Sequence, residues 1–364
     1  MKIVCVAGAR PNFMKIAPLM HAFENYPEIE AALVHTGQHY DKAMSDVFFE
    51  QLGLPEPDAN LGVGGGSREE QIDRIMESFS TYLEQSKPDA VLVVGDVNST
   101  VACTRIAKKK NLITIHVEAG LRSFDKNMPE EINRIETDEL SDYLFVTEQS
   151  GMLNLAKESV DGEAFLVGNV MIDTLVRQLK CVDPDHLLKR LGLKPGQYVV
   201  GTFHRPSNVD EKEPLGNVLS IVEYVADQCD ILLPLHPRTR NSLEQYGWLE
   251  RLTEHPNVHV SSPMGYVDFI SVVSRAKAIV TDSGGVQEET TYLRVPCVTM
   301  RDNTERPVTV ELGSNTLAGT DPEQVMRALD KVLSCNEFDS EVPDLWDGHA
   351  AERIAAQLDL IRQR

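Results

Sequence analysis

Short apolar runs alternate along this chain with longer stretches in which apolar residues recur every three or four positions. Residues 3–7, 32–35, 90–94, 113–117 and 143–146 are compact and rich in Val, Ile and Ala, as expected of strands buried on both faces. Between them, residues 11–24, 69–84 and 100–109 carry a helical period, and Pro11 suits a first helical turn. Strand–helix units in series predict a parallel sheet covered on both sides. The pattern then starts again, with strands expected at 199–202, 231–235, 258–260, 278–281 and 297–300.

Two such series predict an α/β protein of two Rossmann-like, doubly wound domains facing each other across a cleft. The first is expected over residues 1–171 and the second over 172–349, with the seam near 168–173. A helical stretch at 350–364 follows the Pro- and Asp-rich segment 342–348 and is expected to pack back on the first domain. The 364 residues suit this division, at roughly 100–200 residues per domain. The run Gly62-Val63-Gly64-Gly65-Gly66-Ser67 reads as a surface loop. A lid near the cleft is its functional alternative, because glycine lets backbone move or approach a ligand closely.

Charge narrows the classes of partner. A formal net charge of −21 repels a phosphate backbone, which argues against nucleic acid as the ligand. Any anionic ligand must then be held by local cations and backbone N–H groups. The six cysteines (Cys5, Cys103, Cys181, Cys229, Cys297, Cys335) have neither zinc nor redox-pair spacing, which suits a reducing cytosol. No apolar run approaches the ~20 residues of a membrane span, so the expectation is a cytoplasmic protein with no membrane partner.

In open α/β sheets ligands bind beyond the carboxyl ends of the strands, and polar residues cluster there in this sequence. Arg10 follows the first strand, with Lys15 one helical turn on; a helix start with two cations suits an anion. Asp96 follows the strand at 90–94, and Glu118 follows the strand at 113–117 with His116 before it. Glu130 and Glu131 begin a further helix, with Arg134 on its next turn. Several carboxylates without metal-ligand spacing suggest acid–base work, helix capping and dipole compensation being the structural alternatives. In the second half, His204 and Arg205 follow one strand and His236 another. The sharpest signal is Thr281-Asp-Ser-Gly-Gly-Val-Gln-Glu-Glu289, a strand running into Ser283, Gly284 and Gly285 and then a helix. Backbone N–H groups there can wrap a phosphate, Glu289 can take two ribose hydroxyls, and Arg306 can neutralise a pyrophosphate. The ligand implied carries phosphate at one end and an acid–base-sensitive group at the other, which a sugar nucleotide fits.

These motifs, in this order, resemble the non-hydrolysing UDP-N-acetylglucosamine 2-epimerases. The resemblance rests on Arg10-Pro-x-x-x-Lys15, Gly37-Gln-His39, Gly95-Asp96, His116-Val-Glu-Ala-Gly-Leu-Arg122, Pro129-Glu-Glu-Ile-Asn-Arg134, Gly168-Asn169, His204-Arg205, the 281–289 motif and Arg301-Asp-x-Thr-Glu-Arg-Pro307. It implies a glycosyltransferase-B type architecture and a reversible inversion at C2. UDP leaves by anti elimination to a 2-acetamidoglucal and then adds back. By resemblance Asp96, Glu118 and Glu130 are the acid–base candidates, with Glu131 close by, and His204 assists the departing pyrophosphate. Arg10, Ser283, Gly284, Gly285, Glu289 and Arg306 would bind UDP, with Lys15, Arg134 and His236 near the substrate. Gln38 and His39 fall where activation by a second substrate molecule would act. No cofactor or metal is implied, and a homodimer is the expected assembly.

Asn12-Phe13-Met14 departs from the commoner Glu-Ala-Ile type segment. Relatives acting on UDP-2,3-diacetamido-glucuronate carry an aromatic residue there, so that sugar is the alternative substrate. A hydrolysing relative, a glycosyltransferase and a non-enzymatic sensor are further alternatives.

Overall fold

A computed structural model describes residues 1–37, 49, 52–335 and 338–364; of Arg10 it describes the backbone. The expected positions Gln38 and His39, and the Arg10 side chain, lie outside what is described. The chain divides into two compact units, Met1–Thr174 with Asp344–Arg364, and Leu175–Pro343.

The first unit holds seven strands: β1 (Lys2–Ala7), β2 (Glu30–His35), β3 (Ala59–Asn60), β4 (Ala90–Val94), β5 (Ile113–Ala119), β6 (Tyr143–Val146) and β7 (Glu163–Leu166). They form one sheet in the order β3-β2-β1-β4-β5-β6-β7, and every recorded pairing is parallel. β1, β4 and the middle of β5 are almost wholly buried, which is why they read as continuous apolar runs rather than as alternation. The helices Arg68–Ser86 and Asn98–Lys109 cover one face through Ile72, Ile75, Phe79, Val101 and Cys103. The helix Ala350–Arg362 packs on the helix Arg10–Phe23. Asp173 accepts from its first N–H groups, Ala350 at 3.1 Å and Ala351 at 2.7 Å. Trp346, just before it, is buried and donates to Thr147 O at 3.1 Å.

The second unit holds β8 (Tyr198–Thr202), β9 (Asp230–Pro234), β10 (Val258–Ser261), β11 (Ala278–Thr281), β12 (Cys297–Thr299) and β13 (Asn315–Leu317), in the order β10-β9-β8-β11-β12-β13. Its recorded pairings are also parallel. A core of Val199, Ile221, Ile231, Val280, Val298 and Leu329 lies on one face.

The short strands β3, β7 and β13 were not anticipated. β3 has two residues and β13 three, too few to carry a period. β7, Glu-Ala-Phe-Leu, is half-buried at a sheet edge and lacks the continuous apolar run of the centre. The glycine-rich loop ends in a capping box. Glu70 Oε2 accepts from Ser67 N at 2.9 Å, and Ser67 Oγ accepts from Glu70 N at 3.4 Å.

Candidate active site

Strand order reverses between β1 and β4 in the first sheet and between β8 and β11 in the second. These are the two places where loops leave in opposite directions and open a crevice. In the first unit Asp96, Glu118, Lys15 and Arg134 come together there, and in the second His204, His236 and Ser283 line one pocket.

In the first unit Asn12 ties the start of its helix to the strand ends. Its Oδ1 accepts from Gly8 N at 3.0 Å and Ala9 N at 2.8 Å, and its Nδ2 donates to Val94 O at 3.2 Å. One turn on, buried Lys15 forms an ion pair with Glu118. Gly95 has φ +67°, a conformation that favours glycine, and a Cβ there would stand 3.1 Å from Lys15 Nζ.

Glu118 is 1% exposed, and its backbone is unusual. Val117 pairs with Phe145 and Ala119 with Val146, so Glu118 is the extra residue of a bulge, at φ +73°. A non-glycine residue in the left-handed region costs free energy, on the order of 1–3 kcal/mol. The bulge turns the carboxylate away from where strand alternation would send it. Arg134 lies between the two acids: it is ion-paired to Asp96 and stands 3.8 Å from Glu118 Oε1. Asn133 donates to Asp96 O at 2.9 Å and accepts from Arg68 at 2.5 Å. Asp96 and Glu118 are thus brought together with Lys15 and Arg134 as their counter-ions. Lys15 and Arg134, expected at the substrate, are in the first place partners of the carboxylates.

Glu130 is exposed on the first turn of the helix Pro129–Leu140. Glu131 is buried and occupied, accepting from Ser123 N at 2.8 Å, Ser123 Oγ at 3.0 Å and Phe124 N at 3.0 Å. It holds the loop after β5, where Phe124 has φ +59°.

In the second unit Asp282, at the end of β11, is a hub. It accepts from His204 N at 3.0 Å, Arg205 N at 2.9 Å, Asn208 Nδ2 at 3.1 Å and His204 Nδ1 at 2.9 Å. Burial pushes the Asp282 carboxyl up, but the His204 ring and the other donors outweigh it and hold the group below the ordinary carboxylate value. His204 Nδ1 therefore carries the proton that Asp282 accepts, and the ring is half-exposed. His236 caps the helix Pro237–Gln245, its Nδ1 accepting from Arg238 N at 3.2 Å. Burial, His204 and Arg238 lower its basicity. The two rings lie 5.7 Å apart, on a pocket of about 360 Å3 lined also by Phe203, Met264, Phe269 and Ser283.

Ser283 stands at the N-cap of the helix Gly284–Leu293, and the first N–H groups of that helix point outward from Gly284 and Gly285. A Cβ on Gly284 would sit 3.2 Å from Arg306 Nη1 and 3.7 Å from Arg301 Nη1. Arg306 Nε meets Glu288 at 2.7 Å, and Arg301 forks onto Glu305 at 2.8 and 3.1 Å. Burial alone would raise Glu305, but Arg301 and Arg306 hold its carboxyl down to about 2. Glu289 behaves oppositely: burial, with Glu288 adding to it, pushes it up to about 8 against the pull of the Tyr266 hydroxyl.

Sequence reading missed the work of Asp282, His116 and Asp138. Asp282 lies inside the 281–289 motif, where the glycines and Ser283 carry the phosphate signal and an acid after a strand reads as a cap. Asp138 had only its spacing as a signal, four residues after Arg134 on one helix face.

The fold class is α/β with two Rossmann-like sheets, of the glycosyltransferase-B type. The UDP-N-acetylglucosamine 2-epimerase family matches residues 21–359, and the chain belongs to that family. It is 41% identical over 339 residues to a UDP-N-acetylglucosamine 2-epimerase homolog of Methanococcus maripaludis, covering 93% of this chain and 94% of that one. It is 37% identical over 363 residues to the UDP-2,3-diacetamido-2,3-dideoxy-D-glucuronate 2-epimerase of Pseudomonas aeruginosa, covering 98% and 99%. The crystal structure of Methanocaldococcus jannaschii UDP-GlcNAc 2-epimerase in complex with UDP-GlcNAc and UDP superposes with a TM-score of 0.90 at 37% identity, covering 99% and 100%. Among the described residues no helix is long and apolar enough to cross a membrane.

Proposed function

We propose that the protein is a non-hydrolysing epimerase that interconverts UDP-N-acetylglucosamine and UDP-N-acetylmannosamine. The observation that carries this is the pair Asp96 and Glu118, held at adjoining strand ends with Lys15 and Arg134 beside them. In this reading UDP leaves by anti elimination as the C2 proton is removed, and the 2-acetamidoglucal is reprotonated on its opposite face. Asp96, Glu118 and Glu130 form the acid–base set. The C2 hydrogen is a weak acid, so stabilising the departing diphosphate must lower much of the barrier. Arg10, Ser283, Gly284, Gly285 and Arg306 bind the diphosphate, and His204 Nε2 assists its departure. Glu289 takes the ribose hydroxyls, while Phe203, Met264 and Phe269 offer apolar faces to the base. Gln38 and His39 as an activating site, and a cytoplasmic homodimer, belong to the same reading.

Incubation with UDP-N-acetylglucosamine in deuterated water tests it. The expected product is UDP-N-acetylmannosamine labelled at C2, without net accumulation of UDP. Release of free N-acetylmannosamine with UDP would replace this reading with the hydrolysing reaction, and no label at C2 would end it.

A second reading, epimerisation of UDP-2,3-diacetamido-glucuronate, is favoured by Phe13. That residue occupies the aromatic position and packs against His35 at 5.1 Å and Phe49 at 4.8 Å. The Pseudomonas relative carries that activity in its name. Relative kcat/KM for the two sugars decides between the readings.

A further inference from the structure

His116 is fully buried on β5, two residues before Glu118, and both of its ring nitrogens are engaged. Nε2 lies 2.8 Å from the carbonyl oxygen of Gly95, the residue before Asp96. Nδ1 lies 2.6 Å from Asp138 Oδ1. A backbone carbonyl only accepts, and an ionised carboxylate only accepts, so both ring nitrogens donate. The second oxygen of Asp138 accepts from Gly120 N at 3.1 Å and pairs with Arg122 at 2.7 Å. Arg122 is in turn forked onto Glu158 at 2.9 and 2.6 Å.

One buried unit therefore grips the chain at three places. It holds Gly95 just past the end of β4, His116 on β5 before the bulge, and Gly120 just past the end of β5. Asp96 hangs from the first grip, and Glu118 lies between the other two. The strained φ of Glu118 needs such restraint, because a left-handed residue persists only where its surroundings over-determine it.

Resting on the epimerase reading, we propose that His116, acting with Asp138, is a positioning residue that fixes Asp96 and Glu118 relative to each other. It touches no reacting atom. His116→Asn keeps a donor toward Asp138 but is too short to span to Gly95 O. His116→Gln keeps the longer reach.

The test measures C2 deuterium incorporation, UDP affinity and thermal stability for the parent, His116→Asn, His116→Gln and Asp138→Asn. Loosening the carboxylates by an ångström predicts a fall in kcat of about 100-fold in His116→Asn. KM and the UDP dissociation constant should stay within about threefold, since ligand binding does not use this unit. His116→Gln should recover part of kcat. A kcat within twofold of the parent, or a loss that merely follows the folded fraction, overturns the proposal. If His116→Asn does not fold, the shorter loss in His116→Gln and Asp138→Asn is read in the same way. A parent that exchanges no C2 hydrogen sinks the epimerase reading alone. The positioning role is then judged by crystal structures of parent and His116→Gln, where an unchanged separation of the Asp96 and Glu118 carboxyls overturns it.

Discussion

His204 Nδ1 and Asp282 Oδ1 lie 2.9 Å apart at the adjoining ends of β8 and β11, the switch point of the second sheet. The contact fixes which ring nitrogen is presented outward, a matter neither strand decides alone. Asp282→Asn places an amide against Nδ1 and favours the other tautomer. The expected cost is a fall in kcat of about 100- to 10,000-fold, the scale of comparable carboxylate–histidine pairs. UDP affinity should change far less. Steady-state kinetics with a titration of UDP would check it, and an unchanged kcat would remove His204 from the chemistry.

Lys15 and Glu118 make a buried ion pair, and removing Lys15 takes away the nearer of two cations, Arg134 standing 3.8 Å from the same carboxylate. With Arg134 still nearby, Lys15→Met is expected to destabilise the protein by less than the ~3–5 kcal/mol of a fully uncompensated buried charge. The double variant Lys15→Met/Glu118→Gln should recover more than ~1 kcal/mol of that loss, because the carboxylate that lost its nearer cation is gone. Denaturation midpoints of the four members of the cycle provide the check. Additive losses would mean that the pair does not couple.

Glu289 has its carboxyl raised to about 8 by burial and by Glu288, so it is protonated at neutral pH in the free protein. A ribose whose hydroxyls donate to it favours the ionised form. UDP should therefore bind more tightly as pH rises from 7 toward 8, by up to about tenfold per pH unit, with release of a proton. The raised value also means that its contribution to stability is present at acid pH and is lost as pH rises through about 8. Calorimetry in buffers of different ionisation enthalpy would count the proton, and Glu289→Gln should abolish the effect.

Asp173 is raised to about 6, first by burial and then by Asp347, although two backbone N–H groups of the last helix pull it down. The folded state binds this proton more tightly than the unfolded chain does. Its contribution is thus fully present below pH 3.8 and is lost as pH rises through about 6, by at most ~3 kcal/mol. Asp173→Asn should flatten the parent's stability slope between pH 4 and 6, measured by urea unfolding. An unchanged slope would show that the group titrates normally.

The repeated strand–helix pattern of the sequence was sufficient for two parallel sheets, since apolar runs such as 90–94 and 278–281 suit only strands buried on both faces. The same pattern put Asp96, Glu118, His204 and Ser283 at strand ends, because any residue following a central strand emerges at that edge. The roles of Lys15, Arg134 and Glu131 were not legible. An acid or a base at a helix start reads alike whether it faces a ligand, a loop or a counter-ion.

What the sequence determined by itself was therefore the layer architecture and the edge at which chemistry sits, because periodicity and strand polarity are local properties. Only the tertiary structure decided which of those residues work together. The bulge at Glu118 and the grip of His116 and Asp138 on two strands arise from backbone conformation and from contacts 21 and 22 residues apart in sequence. No local pattern encodes them.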